Sequence, residues 1–332
     1  MASRNNDSSR VMKQVAALIR KNKRFLMVAH ECPDGDSLGS AMAMACALKK
    51  LKKDVRVMTD MVPQKYGYLP LVDQVKSSAP SDLSQRIVML FDTPTLERLG
   101  TLKPSLDGCK NLINIDHHVS NTRYGTLDWI DTSAASVGEQ VYALLKVLRV
   151  KLNKDIAACL YTSIVTDTGK FQYSNTTART HTITADLLAT GMDHQRIVEH
   201  IYEDYPKEKL SLVSGALSTL NLVCGGKVAW MVVSRDLLKR SGATLEWADD
   251  IINYARGIAG VEAAVVFKES EKDGEYKVSL RSRNPGVVDV NAIARKYHGG
   301  GHKAAAGYNI RGSLEDVSRK VMDDFRKIYG TH

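Results

Sequence analysis

Short apolar blocks separated by helix-like stretches set the rhythm of the first half of the chain. Residues 25–29, 55–59, 87–91 and 112–115 are such blocks, of a length that suits strands rather than helices. Residues 37–51, rich in Ala, Met and Leu, predict a helix with Ser37 as its N-cap behind the turn Pro33-Asp34-Gly35. Further helices are predicted over 136–148 and 155–165. Strand and helix in alternation are the pattern of βαβ units, so the predicted fold class is α/β with a parallel sheet.

The polar stretch 175–179 leads into another helical segment through Thr190, closed by Gly191, and a mostly helical connector continues to about residue 222. After Cys224-Gly225-Gly226 the pattern restarts. Strands are predicted over 228–233, 263–268 and 276–280, with a helix over 288–296, which reads as a second, smaller α+β domain. The expected division is 1–190, a connector over 191–224, and 225–332. No internal repeat or low-complexity tract interrupts it.

A chain of 332 residues with 44% hydrophobic content can fill two cores. Its apolar runs are far shorter than the roughly 20 residues that cross a bilayer, and residues 1–10 lack the apolar heart of a signal peptide. The expectation is a cytoplasmic protein without a membrane partner. Five cysteines show no CxxC pair and no disulfide or zinc spacing, so reduced thiols are expected. A net charge of +9 favours anionic partners, although the run Lys49-Lys50-Leu51-Lys52-Lys53 equally suits a helix C-terminus.

The chemistry gathers where strands end. Blocks 26–29, 87–91 and 112–115 run directly into His30, Asp92 and Asp116-His117-His118, and ligands of open α/β sheets collect at the carboxyl ends of strands. A buried ionised Asp costs several kcal/mol unless paired or coordinated, so convergence on cations explains the three strand ends together. His30-Glu31-Cys32-Pro33-Asp34-Gly35-Asp36 adds two carboxylates on one tight turn, where Asp34 and Asp36 also suit caps of the following helix. Asp167, at a helix end, is a further carboxylate whose place depends on the others needing it. Four carboxylates and two imidazoles without a thiolate favour Mn²⁺, with Mg²⁺, Co²⁺ or Fe²⁺ as alternatives. Two such ions about 3.5–4 Å apart would serve phosphoester hydrolysis. In the second domain, Gly299-Gly300-Gly301-His302 reads either as a flexible turn before the small run Ala304-Ala305-Ala306, or as a phosphate cradle with Arg281 as a second contact.

These motifs, in this order, resemble the DHH phosphoesterase superfamily in its form with a glycine-rich C-terminal DHH-associated domain. His30-x-x-x-Asp34-x-Asp36, Phe91-Asp92-Thr93, Asp116-His117-His118 and Thr166-Asp167-Thr168-Gly169 are similar to its four metal motifs, and Gly299 to His302 to its substrate motif. The resemblance implies a parallel-sheet metal domain, a smaller α+β domain and a substrate cleft between them. It implies that His30, Asp34 and Asp92 hold one Mn²⁺, and that Asp36, Asp92, His117 and Asp167 hold another. His118 would then meet the scissile phosphate, and Asp116 would orient an imidazole.

The triple glycine and His302 point away from the family-II inorganic pyrophosphatases. The chain is shorter than RecJ-like exonucleases and shows no transmembrane segment of the membrane-anchored cyclic-di-AMP phosphodiesterases. The resemblance is therefore to the stand-alone NrnA-like group. It implies a homodimeric nanoRNase that cuts short oligoribonucleotides to nucleoside 5'-monophosphates, with 3'-phosphoadenosine 5'-phosphate as a second substrate class. Hydrolysis of cyclic-di-AMP or another dinucleotide is the alternative. An aromatic content of 6% offers few stacking platforms for long nucleic acid.

Overall fold

The apolar blocks of the first half form a six-stranded sheet in which every neighbouring pair is parallel. The computed structural model describes residues 2–204 and 206–330, so the last two residues of the expected second domain lie outside it. The chain divides into two compact units, residues 1–204 and 205–332. The first contains α1 (Ala2–Lys21), β1 (Arg24–Ala29), α2 (Gly35–Lys50), β2 (Asp54–Met58), β3 (Val75–Lys76), β4 (Ile87–Phe91), β5 (Leu112–Asp116) and β6 (Leu127–Ile130). Helices α3 (Val137–Leu148), α4 (Lys154–Asp167), α5 (Ala178–Leu188) and α6 (His194–Tyr202) complete it.

Strand order is β3-β2-β1-β4-β5-β6. Both faces of the central strands are covered. Phe25, Met27 and Ala29 of β1 join Ile87, Met89 and Phe91 of β4 in one core, while Leu26, Val28, Val88 and Leu90 enter a second. Burial on both sides explains why these strands read as continuous apolar runs, each large side chain contributing roughly 1.5–3 kcal/mol. The second core is closed by the 3₁₀ stretch Leu96–Leu106, through Leu99, Leu102 and Leu106.

In the first unit, helix α1 and strands β3 and β6 lie outside the sequence expectation. Val15, Ala16 and Ile19 of α1 are fully buried, β3 has two residues, and β6 is an edge strand of four. Helix α2 also corrects the expected cap. Asp34, not Ser37, is the N-cap, its carboxylate accepting the Ser37 N–H at 3.0 Å. The Ser37 hydroxyl instead donates to the Phe91 carbonyl at 2.9 Å and accepts the His30 N–H at 3.2 Å. It stitches the ends of β1 and β4 together.

The second unit contains α7 (Lys207–Leu217), β7 (Asn221–Val223), β8 (Val228–Val233), α8 (Arg235–Ser241), α9 (Ile252–Arg256), β9 (Ala263–Glu269) and β10 (Glu275–Ser282). It continues through α10 (Val290–Lys296), β11 (Gly300–His302), β12 (Ala305–Arg311) and α11 (Leu314–Tyr329). Its six-stranded sheet runs β11-β12-β10-β9-β8-β7 and is antiparallel except between β8 and β9. Val265, Phe267, Val278 and Leu280 pack with residues of α10 and α11, and Ala264 and Val266 with residues of α7 to α9. The glycine run is not the flexible turn considered from sequence. Gly300 and Gly301, with His302, form an edge strand paired to β12. No helix among the described residues is long and apolar enough to cross a membrane, and none of the five cysteines is in a disulfide.

Candidate metal centre

The order of the first sheet reverses between β1 and β4, and the crevice at such a switch point is where α/β sheets bind ligands. His30 follows β1 and Asp92 follows β4 there. Asp92 takes a left-handed backbone, φ +57°, a conformation that Asp tolerates better than most residues. Its carboxylate reaches between two imidazoles. Oδ2 lies 3.9 Å from His30 Nε2 and Oδ1 lies 3.4 Å from His117 Nε2. Asp34 adds an oxygen 4.0 Å from His30 Nε2. Asp36 and Asp167 add oxygens 3.6 and 3.5 Å from His117 Nε2.

Both imidazoles are turned the same way. Nδ1 of His30 sits 2.9 Å from the Glu31 carbonyl, and Nδ1 of His117 sits 3.1 Å from the Ala134 carbonyl. A backbone acceptor on Nδ1 fixes the tautomer that presents Nε2 as a ligand. His30, Asp34 and Asp92 form one cluster of convergent atoms and Asp36, Asp92 and His117 another, each within 4.8 Å, with Asp92 common to both.

The charge in this space is unbalanced. Burial pushes Asp36 well up, and the nearby Asp92 and Asp167 push it further. Burial likewise raises Asp167 to about 7 against the opposing pull of His117. Burial works against the charge on His117, but Asp167, Asp92 and Asp36 outweigh it and hold its imidazole well above the usual range. For Asp92, burial is overcome by His118 and His117, which keep it well below the usual carboxylate range. Oδ1 of Asp92 is nevertheless buried without a hydrogen bond. An oxygen-rich, thiolate-free set with surplus negative charge and an unsatisfied buried oxygen fits hard divalent cations.

Asp36 also has a second task. It accepts the N–H groups of Val137 at 2.9 Å and Gly138 at 3.3 Å, capping α3, and receives the hydroxyls of Ser40 and Ser163. Asp116 is fully buried and holds His118, not His117: Oδ1 lies 2.8 Å from His118 Nδ1 and accepts the His117 N–H at 2.8 Å. That bond engages Nδ1 and not Nε2. Burial disfavours a charged His118, yet Asp92 and Asp116 raise it to about 10.

Three polar residues of this edge escaped the sequence reading. Asn121 donates to Asp116 Oδ2 at 2.6 Å. Asp60, after β2, accepts the Cys32 N–H at 3.0 Å and so braces the ligand turn. The Arg98 guanidinium lies 3.2 Å from His30 Nε2. The first and second were findable, Asn121 by its place just beyond the histidine pair and Asp60 as another acid at a strand end.

In the second unit, Arg281 and His302 are both opposite Ala305 in register, so the three form one row across β10, β12 and β11. Directly opposed residues share a sheet face, which places the cation and the imidazole about 10 Å apart at the backbone over a methyl floor. The next row on that face is Ser279, Gly307 and Gly300. Gly299 and Gly301 have a different reason to be glycine: a Cβ would lie 2.3 Å from the Gly307 carbonyl and 2.4 Å from the Ala305 carbonyl, respectively. Around Gly300 the nearest atom would be 4.0 Å away.

The DHH family N-terminal domain is matched over residues 24–164, and the DHHA1 domain over residues 225–328. A bifunctional oligoribonuclease and PAP phosphatase NrnA from Thermus thermophilus is 31% identical, covering 95% of this chain and 94% of its own. Its namesake from Bacillus subtilis is also 31% identical, over 90% and 93%. The cyclic-di-AMP phosphodiesterase GdpP of Geobacillus thermodenitrificans is 25% identical, and only 48% of it is covered. Among solved structures, an exopolyphosphatase-related protein from Bacteroides fragilis has the same fold, with a TM-score of 0.87 at 21% identity over 97% of this chain and 98% of its own.

Proposed function

The chain belongs to the DHH family, and from that premise we propose that it is a phosphoesterase that hydrolyses short oligoribonucleotides to nucleoside 5'-monophosphates and removes the 3'-phosphate of 3'-phosphoadenosine 5'-phosphate. The observation that carries this reading is similarity along nearly the full length of relatives named for those two activities. GdpP matches over less than half of its length, so cyclic-di-AMP is the weaker substrate in this proposal.

His30, Asp34 and Asp92 would hold one divalent cation, and Asp36, Asp92, His117 and Asp167 a second, Mn²⁺ being the best fit to the donors. Bound there, such ions would supply an activated hydroxide and neutralise phosphoryl charge. The chain's own contribution follows from His118. Asp116 occupies its Nδ1, which leaves Nε2 as the nitrogen that would meet a phosphate, protonated when the ring is an imidazolium. Asp92 and Asp116 favour that imidazolium against burial in the metal-free chain, and its Nε2–H would donate a charge-assisted hydrogen bond to a phosphate oxygen. In the second unit, Arg281 and His302 would grip the terminal phosphate from the two ends of their row, with Gly299, Gly300 and Gly301 admitting the anion to the backbone. A homodimer in the cytoplasm completes the proposal.

The test is turnover with Mn²⁺ on a panel of pApA, pGpG, a 24-nucleotide RNA, cyclic-di-AMP and 3'-phosphoadenosine 5'-phosphate. Dinucleotides and 3'-phosphoadenosine 5'-phosphate should be consumed fastest. Preference for cyclic-di-AMP by tenfold or more in kcat/KM would overturn the reading.

A further inference from the structure

Arg98 leans onto the candidate metal centre from the segment after β4. Its guanidinium Nη2 lies 3.2 Å from His30 Nε2 and 3.4 Å from Nδ1. The segment is clamped in place. Leu99, Leu102 and Leu106 are buried beneath the sheet, the Glu31 N–H donates to the Arg98 carbonyl at 3.0 Å, and the Thr101 N–H donates to Glu31 Oε1 at 2.9 Å. Gly100, at φ +49°, makes that last contact possible, since a Cβ there would lie 1.9 Å from the Glu31 carboxylate.

The backbone is thus fixed to the ligand turn while the side chain stays exposed. The guanidinium forms no ion pair with a carboxylate among the described residues, although Glu31 and Glu97 are near in sequence. Five N–H donors in a planar fork are poorly used by one imidazole and well suited to a phosphate. The nitrogen that Arg98 approaches is also the one His30 turns towards Asp34 and Asp92. A guanidinium and a divalent cation cannot share that lone pair.

We infer that Arg98 is a phosphate-binding residue of this centre: a cation taking His30 Nε2 displaces the guanidinium, which, tethered beside the ligand turn, closes on the non-bridging oxygens of the bound phosphate. This rests on the proposed phosphoesterase function and adds a residue to it. It makes Arg98 a competitor of the metal before loading and a partner of the substrate afterwards.

The test uses the whole protein and the variants Arg98→Ala, Arg98→Lys and Arg98→Gln, with three readouts: Mn²⁺ titration of the metal-free protein, binding of adenosine 5'-monophosphate to the Mn²⁺-loaded protein by calorimetry, and kcat/KM on pApA. Arg98→Ala should bind Mn²⁺ as tightly as the parent or more tightly. It should bind the monophosphate about 10- to 100-fold more weakly, the scale of one charge-assisted hydrogen bond, and lose kcat/KM by a similar factor. Arg98→Gln should behave alike, and Arg98→Lys should recover part of the loss as a point charge without the fork. The inference is overturned if Mn²⁺ affinity falls while monophosphate binding per loaded site is unchanged, because Arg98 would then only support the His30 turn. A parent protein that binds Mn²⁺ and the monophosphate but leaves pApA intact would refute the proposed substrate, while the binding arms would still decide the role of Arg98.

Discussion

At the end of β4, Asp92 projects a buried carboxylate between two imidazoles, whereas in β11 Gly301 presents no side chain, with the Ala305 carbonyl 2.4 Å from where its Cβ would be. Under the proposed function the two sheets would prepare for a phosphate by different means. The parallel sheet concentrates ionisable groups at a switch point, where each opposes or supports its neighbours electrostatically. The second sheet clears side chains from an edge and leaves Arg281 and His302 at the ends of one row. Losing a group should therefore be the damaging change in the first unit, and gaining one in the second.

The largest effect should come from Asp92→Ala. It removes the oxygens that face both His30 and His117, so both cation subsets lose a member at once. Bound Mn²⁺ should fall below one equivalent by elemental analysis, and turnover should fall at least about 1000-fold, since the activated hydroxide and the charge neutralisation disappear together. Asp36→Ala should differ in kind, because it also uncaps α3 at Val137 and Gly138 and so should lower thermal stability as well as metal content. Full Mn²⁺ content with normal turnover in Asp92→Ala would break the two-cation assignment.

A glycine pair sharpens the other half of the comparison. Gly301→Ala meets both a φ of +143° and backbone atoms of Ala305 and Ala306 at 2.4 and 2.7 Å, and should cost about 1–3 kcal/mol, seen as a melting temperature lower by about 5 °C or more. Gly300→Ala has space, with only Asn291 Oδ1 at 4.0 Å, so its melting temperature should stay within about 2 °C. Its expected cost is in KM, because the added methyl shares the face with Arg281 and His302. Equal destabilisation by the two substitutions would mean that the whole glycine run serves packing.

What could be read from the sequence divides along the same line. Strands β1 and β4 and the residues that end them were legible because a doubly covered strand is a continuous apolar run, and the polar residue closing it is conspicuous. Asp36 was legible as an acid but not as the cap of α3, since its partners lie 101 and 102 residues away. Arg98 was illegible for the same reason. Its contact with His30 spans 68 residues and depends on leucines that seat the segment beneath the sheet. The strand character of the glycine run was hidden because three glycines carry no side-chain period. The helix start was left between Ser37 and Asp34 because both are good caps and only tertiary contacts decide between them.

The smallest effect, and the one most specific to crowded charge, is the pH dependence of metal binding. Burial raises Asp167 to about 7, with His117 pulling the other way, and a cation takes the carboxylate, not the acid. Below about pH 7 the proton must leave before Asp167 can bind, so apparent Mn²⁺ affinity rises with pH up to that point and gains nothing further from this group above it. Each displaced proton contributes about a tenfold change per pH unit. Asp36 and His117, also raised, steepen the dependence in the same direction. Calorimetric titration at pH 6 in two buffers of different ionisation enthalpy should register proton release on Mn²⁺ binding. Asp167→Asn should release about one proton fewer, and an Mn²⁺ affinity unchanged from pH 5.5 to 8 would show that the carboxylates around His117 are not competing with protons for the cation.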